Sequence, residues 1–168
     1  MVVKFKGPIK ISRLDIAYLG FFLGLRVNEL VRLRMERAGF KRVQDSYGYL
    51  IQHLIQSDRT ITELAERMEI THQAVSKTVA ELIALGMVQA TPGTDHGSKR
   101  ICLSRRGRAC VKFGRRTRKE FEERLTMAVG HRNYNQAKTS LIGCLDILGG
   151  VEMIQTRVVQ RPGCGSIS

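Results

Sequence analysis

Residues 62–103 run through two short capped helices, a tight link and two alternating strands with almost nothing between them. Thr62 precedes Glu63-Leu64-Ala65-Glu66-Arg67-Met68, which predicts a threonine N-cap and an acidic first turn. After Glu69-Ile70, Thr71 predicts a second N-cap, and a helix then runs to Leu85 with Gly86 at its left-handed stop. Val75, Val79 and Leu82 stand at i, i+4 and i+7, so one face of that helix turns inward. The opposite face presents His72, Gln73, Ser76 and Lys77, with Thr78 at its flank. Residues 87–91 and 99–103 then alternate as strands, with Val88, Ala90, Ile101 and Leu103 inward and Cys102 outward. Residues 92–98, rich in Pro and Gly, read as the hairpin tip.

A helix pair followed directly by a hairpin is a helix-turn-helix with a wing. The second helix of such a unit enters the major groove, where Gln can pair with adenine, Lys with guanine, and Ser can approach base or phosphate. Taken alone, the helix pair also fits an ordinary hairpin with a solvated face; the wing is what distinguishes the two readings.

Charge points the same way. Lys and Arg number 28 against 15 Asp and Glu, a net +13 that favours a polyanionic partner. Lys99, Arg100, Arg105, Arg106, Arg108, Lys112, Arg115, Arg116, Arg118 and Lys119 follow one another with no acid among them. The first of these are expected on phosphate, beside the wing. No secretory leader or membrane-length apolar run is visible, and Cys102, Cys110, Cys144 and Cys164 show no paired spacing. A cytoplasmic protein with reduced thiols is therefore expected. His53, His72, His96 and His131 are scattered, so neither a metal nor another cofactor is expected. The chain carries no nucleophile elbow, phosphate-cradling glycine loop or paired-carboxylate motif, and no enzymatic activity is expected.

The flanks are helical and unusually apolar. Ser12 is the expected cap of a helix to about Arg37, on which Leu14, Tyr18, Phe21, Phe22, Leu25, Leu30, Val31 and Leu33 cover more than one face. Gly39 ends it, and a second helix is expected over 45–56. Ser104 caps a helix over 105–129, Gly130 breaks it, and one last helix is expected over 133–156 with Tyr134, Ala137, Leu141, Leu145 and Leu148 in a stripe. Two such surfaces need cover, and the first and last helices can supply it to each other within one chain, in a second copy of the chain, or both.

These residues resemble the MarR family of regulators. The resemblance is carried by Glu63-Leu64-Ala65-Glu66-Arg67, Ala74-Val75-Ser76-Lys77-Thr78-Val79, Leu82-Ile83-Ala84-Leu85-Gly86-Met87-Val88 and the wing segment from Asp95 through Leu103-Ser104-Arg105-Arg106-Gly107. It implies one domain over 1–168, mainly α with a small β-hairpin wing. Residues 43–107 would form the winged helix-turn-helix lobe and residues 10–42 and 108–157 the N- and C-terminal dimerisation helices, leaving 158–168 as a disordered tail. The implied function is a homodimeric, sequence-specific binder of inverted-repeat double-stranded DNA, a repressor released by a small aromatic or anionic effector. The expected DNA-binding residues are Thr71, His72, Gln73, Ser76, Lys77, Thr78, Ser98, Lys99 and Arg100. The family's wing arginine falls on Gly97 here, which leaves the minor-groove role to Lys99 or Arg100. The effector site is not readable: Tyr18, Tyr47, Tyr49 and His53 fit a crevice lining and core packing equally. The family's oxidant-sensing cysteine near the first helix has no counterpart, since no cysteine precedes Cys102. The competing reading is a winged-helix module for RNA or protein without specific DNA readout.

Overall fold

The computed structural model describes residues 10–40, 45–93 and 99–156. Gly97, Ser98 and the remainder of the expected hairpin tip beyond residue 93 lie outside the described residues, as do Cys164 and the expected tail over 158–168.

The chain forms α1 (Ile16–Arg37), α2 (Asp45–Leu54), α3 (Ile61–Met68), α4 (His72–Ala84), β1 (Val88–Pro92), β2 (Lys99–Leu103), α5 (Arg105–Val129), α6 (His131–Ile147) and α7 (Gly150–Thr156). The mainly helical class with one antiparallel hairpin is as expected. The caps at Thr71 and Ser104 also stand where expected: their hydroxyls accept from Ala74 N–H at 3.2 Å and Gly107 N–H at 2.9 Å. Gly39 and Gly86 end α1 and α4 with φ of +89° and +67°.

Two other caps differ from expectation. Ser12 lies in a 3-10 turn, Ile11–Arg13, and α1 starts instead at Asp15, whose carboxylate accepts from Tyr18 N–H at 2.9 Å. A charged oxygen there also meets the positive end of the helix dipole. Thr62 lies inside α3. The cap is Thr60, which forms a reciprocal box with Glu63: the hydroxyl accepts from Glu63 N–H at 3.1 Å, and the carboxylate accepts from Thr60 N–H at 2.7 Å. The expected last helix is two, because Gly149 adopts φ +72° between α6 and α7.

The hairpin pairs Val88 with Leu103 and Ala90 with Ile101. Val88, Ile101 and Leu103 are buried as expected, but Ala90 is exposed and Cys102 is buried. The inside–outside alternation fails because the two strands have different neighbours. β2 lies against α2, α3 and α5, which cover both faces of its C-terminal half, whereas β1 meets only α4 and β2 to any extent. Arg59 adds a third strand position, exchanging backbone hydrogen bonds with Ile101 at 3.0 and 2.7 Å.

One core joins these elements. Leu50, Leu64, Val75, Leu82, Met87 and Ile101 are fully buried, with Tyr47, Leu54, Val79 and Cys110 around them. Gly107 permits the closest approach in it: a Cβ there would lie 2.0 Å from the Met87 carbonyl oxygen. Ser104 reinforces the same junction by donating from Oγ to the Gly86 carbonyl at 2.5 Å. The start of α5 is thereby fixed against the end of α4, while its other half packs on α1 and α6.

Candidate nucleic-acid interface

The segment 69–72 aims the recognition face. Glu69 ends α3 in the left-handed region at φ +52°, and Thr71 starts α4 two residues later. With Val75, Val79 and Leu82 inward, His72, Gln73 and Lys77 are exposed, and Ser76 and Thr78 are half-buried. The side chains of His72, Gln73 and Lys77 have no hydrogen bond or ion pair among the described residues, so their polar atoms are available to a ligand. Thr71 is exposed and its oxygen accepts the capping bond, leaving its own proton to donate outward. Thr78 donates instead to the Ala74 carbonyl at 3.0 Å, which leaves it acceptor capacity only.

Tyr47 locks α4 from behind. Its buried hydroxyl donates to the Glu81 carboxylate at 3.1 Å. Burial, then the bonded carboxylate, push the phenol above its ordinary pKa, so the donor proton is retained at neutral pH.

Lys99 is exposed at the loop end of the hairpin, in register with Pro92, without a side-chain partner among the described residues. Arg100 is engaged. Its Nη2 donates to the Asp58 carbonyl at 2.5 Å and lies 3.8 Å from Glu63, joining the wing to the α3 cap. The Thr60 N–H bond holds the Glu63 carboxyl below its ordinary range; burial opposes it, and the charges of Arg100 and Arg59 add to the lowering. The structure therefore gathers Thr71, His72, Gln73, Ser76 and Lys77 on one helix, with Lys99 on the neighbouring hairpin and Arg100 serving as a brace within it.

Along the basic run the arginines have separate attachments. Arg106 donates to the Gly39 carbonyl at 2.7 Å, Arg108 to the Leu103 carbonyl, and Arg118 to Asn28 Oδ1 at 2.5 Å. Arg105 and Lys112 are exposed, with no partner among the described residues. Sequence reasoning passed over Ala80, exposed at i+7 from Gln73, where a small side chain lets a ligand approach the helix closely. The spacing Gln73, Lys77, Ala80 was the available signal.

A cavity of about 310 Å³ lies between α1, α2 and α5, lined by Val31, Met35, Phe40, Tyr49, Ile51 and Val111 among apolar groups and by Arg32, Arg115 and Arg118. Of the four residues considered for a crevice, Tyr49 lines this cavity. Tyr47 is committed to Glu81, Tyr18 is exposed on α1, and His53 is half-buried outside the lining. Arg32 is paired with Glu36 at 2.7 Å, whereas Arg115 has no such partner among the described residues.

A family model described as MarR family matches residues 43–97. No curated protein matches. Among solved structures the chain is similar to MepR, a transcription regulator of the Staphylococcus aureus multidrug efflux pump MepA (18% identity, 80% of this chain and 99% of that one, TM-score 0.64). It is also similar to the YusO protein of Bacillus subtilis (20% identity, 82% and 99% covered, TM-score 0.65). A third is the transcriptional regulator Tm0710 of Thermotoga maritima (18% identity, 86% and 97% covered, TM-score 0.56). MepR has been solved bound to an oligodeoxyribonucleotide in one mutant form and bound to ethidium bromide in another structure.

Proposed function

Because the chain carries a MarR-family winged-helix lobe, we propose that it is a homodimeric transcriptional regulator that reads duplex DNA through α4. The observation that carries this reading is the exposed, unpartnered row of His72, Gln73 and Lys77 on a helix whose other face is locked into the core. Gln73 and Lys77 are suited to base edges, Ala80 to a thymine methyl, and the free Thr71 proton to a phosphate at the helix N-terminus. Lys99 supplies a wing contact to phosphate or minor groove, and Arg105 and Lys112 extend the positive surface. A MepR mutant bound to an oligodeoxyribonucleotide supports the same class of partner.

Dimerisation follows from exposed apolar surface on α1, α6 and α7. Phe21, Phe22, Leu25, Ile142, Leu148 and Ile154 are all about half exposed or more within one chain. Two-fold symmetry then requires an inverted-repeat site with half-site centres about one helical turn apart.

The cavity is the proposed effector site. Apolar walls with Arg115 unpartnered favour a small aromatic anion, whose binding releases DNA and relieves repression. MepR binds ethidium, a different chemistry, so the supporting feature here is the arginine lining rather than that complex.

The test is selection of bound fragments from genomic DNA of the host. One inverted-repeat consensus is expected. A fragment pool without a consensus, or tighter binding to structured RNA at matched salt, would contradict the proposal.

A further inference from the structure

Phe40 and Cys110 line the cavity, and one side chain lies between Phe40 and the end of α4. Arg106 donates from Nη2 to the Gly39 carbonyl at 2.7 Å, and its guanidinium lies 5.5 Å from the centre of the Phe40 ring. Its Cδ lies 3.6 Å from where a side chain on Gly86 would begin. Gly39 and Gly86 are the left-handed stops of α1 and α4, so one side chain hydrogen-bonds at the end of α1 and runs its aliphatic stem beside the end of α4. Arg106 also stands one helical turn before Cys110, close enough for its charge to oppose the upward push of burial on that thiol. Phe40 packs in turn on Phe113 at 5.7 Å between ring centres. A guanidinium held by one carbonyl and one ring face depends on the position of both, because each contact is directional and short-ranged.

We propose that Arg106 is the positioning residue through which occupancy of the cavity reaches α4. An occupant that displaces the Phe40 ring unseats the guanidinium from Gly39 and withdraws the stem that runs beside the Gly86 end of the recognition helix, leaving that end held by Ser104 alone and so looser. The inference rests on the proposed effector cavity and DNA readout, and it adds the residue that connects them. The contact set has no equivalent elsewhere among the described residues. Of the other arginines joining α1 to α5, Arg34 pairs with Glu120 at 2.5 Å and covers Phe121 at 4.9 Å, and Arg118 donates to Asn28 at 2.5 Å; neither has a hydrogen bond, ion pair or ring contact with α4 among the described residues.

The test fills the cavity without any ligand. Gly48 lines it, and a Cβ there meets nothing within 4 Å, so Gly48→Leu places an apolar side chain in open space. The full-length parent, Gly48→Leu, Arg106→Ala and the double variant are compared by amide hydrogen exchange without DNA. The readout is the Gly86 and Met87 N–H groups, which donate to Ile83 and Leu82 carbonyls at 2.8 and 2.9 Å. Gly48→Leu is expected to speed their exchange about tenfold in the parent and to leave it within about twofold in the Arg106→Ala background. Arg106→Lys keeps the charge but not the planar group, and it is expected to block transmission as Ala does, which preserves the comparison if Arg106→Ala does not fold. Unchanged exchange in Gly48→Leu, or equal acceleration with and without Arg106, overturns the inference. Absence of DNA binding by the parent would instead overturn the proposed function, since the exchange comparison uses no DNA.

Discussion

The winged lobe and the helical arms use apolar residues in opposite ways. In the lobe, α3, α4 and the hairpin turn theirs onto one another, and Leu64, Leu82, Met87 and Ile101 are essentially inaccessible. In the arms, α1 runs for 22 residues and buries Val31 alone, while α6 buries none. Phe21 and Phe22 remain 59% and 52% exposed, meeting each other at 5.5 Å along their own helix and leaving most of their surface to solvent. One region is finished within a single chain and the other is not. Under the proposed function, readout belongs to the lobe and assembly to the arms, and changes in the two regions are then expected to fail differently.

The largest effect is expected at the tightest point of the lobe. Gly107→Ala would drive a methyl group against the Met87 carbonyl and cost about 3 kcal/mol or more, since backbone must move. Denaturant unfolding checks this, and a change below about 1 kcal/mol would show that the lobe is looser than its geometry. In the arms, Phe22→Asp is expected to weaken self-association by about 2 kcal/mol or more while the lobe stays folded. Sedimentation read beside circular dichroism separates the two effects. A folded variant that dimerises as tightly as the parent would remove α1 from the interface.

Much of this division was legible in the sequence. Val75, Val79 and Leu82 gave the inward face of α4, and Thr71, Gly86 and Ser104 punctuated it as they do in the structure. The N-terminal caps of α1 and α3 were misplaced because several Ser, Thr and Asp residues stand close together, and only local geometry decides which oxygen meets the free N–H groups. Ala90 and Cys102 were misassigned because alternation assumes one buried face, whereas β2 is covered on both at its C-terminal end. The strand position at Arg59 left no periodic signal, being a single residue paired with Ile101. At the site, the contacts of Arg100 with Asp58 and Glu63 were not legible in the sequence, because only the fold brings those residues together. The cavity depends on three helices meeting, so Arg115 and Arg118 could not be told from the rest of the basic run.

A smaller effect distinguishes the two threonines at α3. Thr60→Ala is expected to cost about 1 kcal/mol through loss of the capping box, and Thr62→Ala less than about 0.5 kcal/mol. Equal losses in thermal unfolding would return the cap to neither residue. The smallest effect is in pH dependence. Glu63 has a folded-state pKa below its unfolded one, so the folded protein binds fewer protons there and stability rises with pH. Its contribution is present above the unfolded carboxylate pKa and is lost as pH falls through the folded value. Glu63→Gln should therefore flatten the acid limb of the stability profile slightly, and an unchanged limb would show that the box draws nothing from that charge.

The most direct measurement compares Gln73→Ala and Lys77→Ala with the parent, by fluorescence anisotropy, on the selected inverted repeat and on random duplex at one salt concentration. Each variant, still folded and dimeric, is expected to lose roughly 1–3 kcal/mol on the selected site, with a smaller loss on random DNA. Lys99→Ala, removing the proposed contact to phosphate or minor groove, should weaken both duplexes about equally and lower the salt slope by about one charge. Undiminished binding of the selected site by both α4 variants would contradict readout through α4.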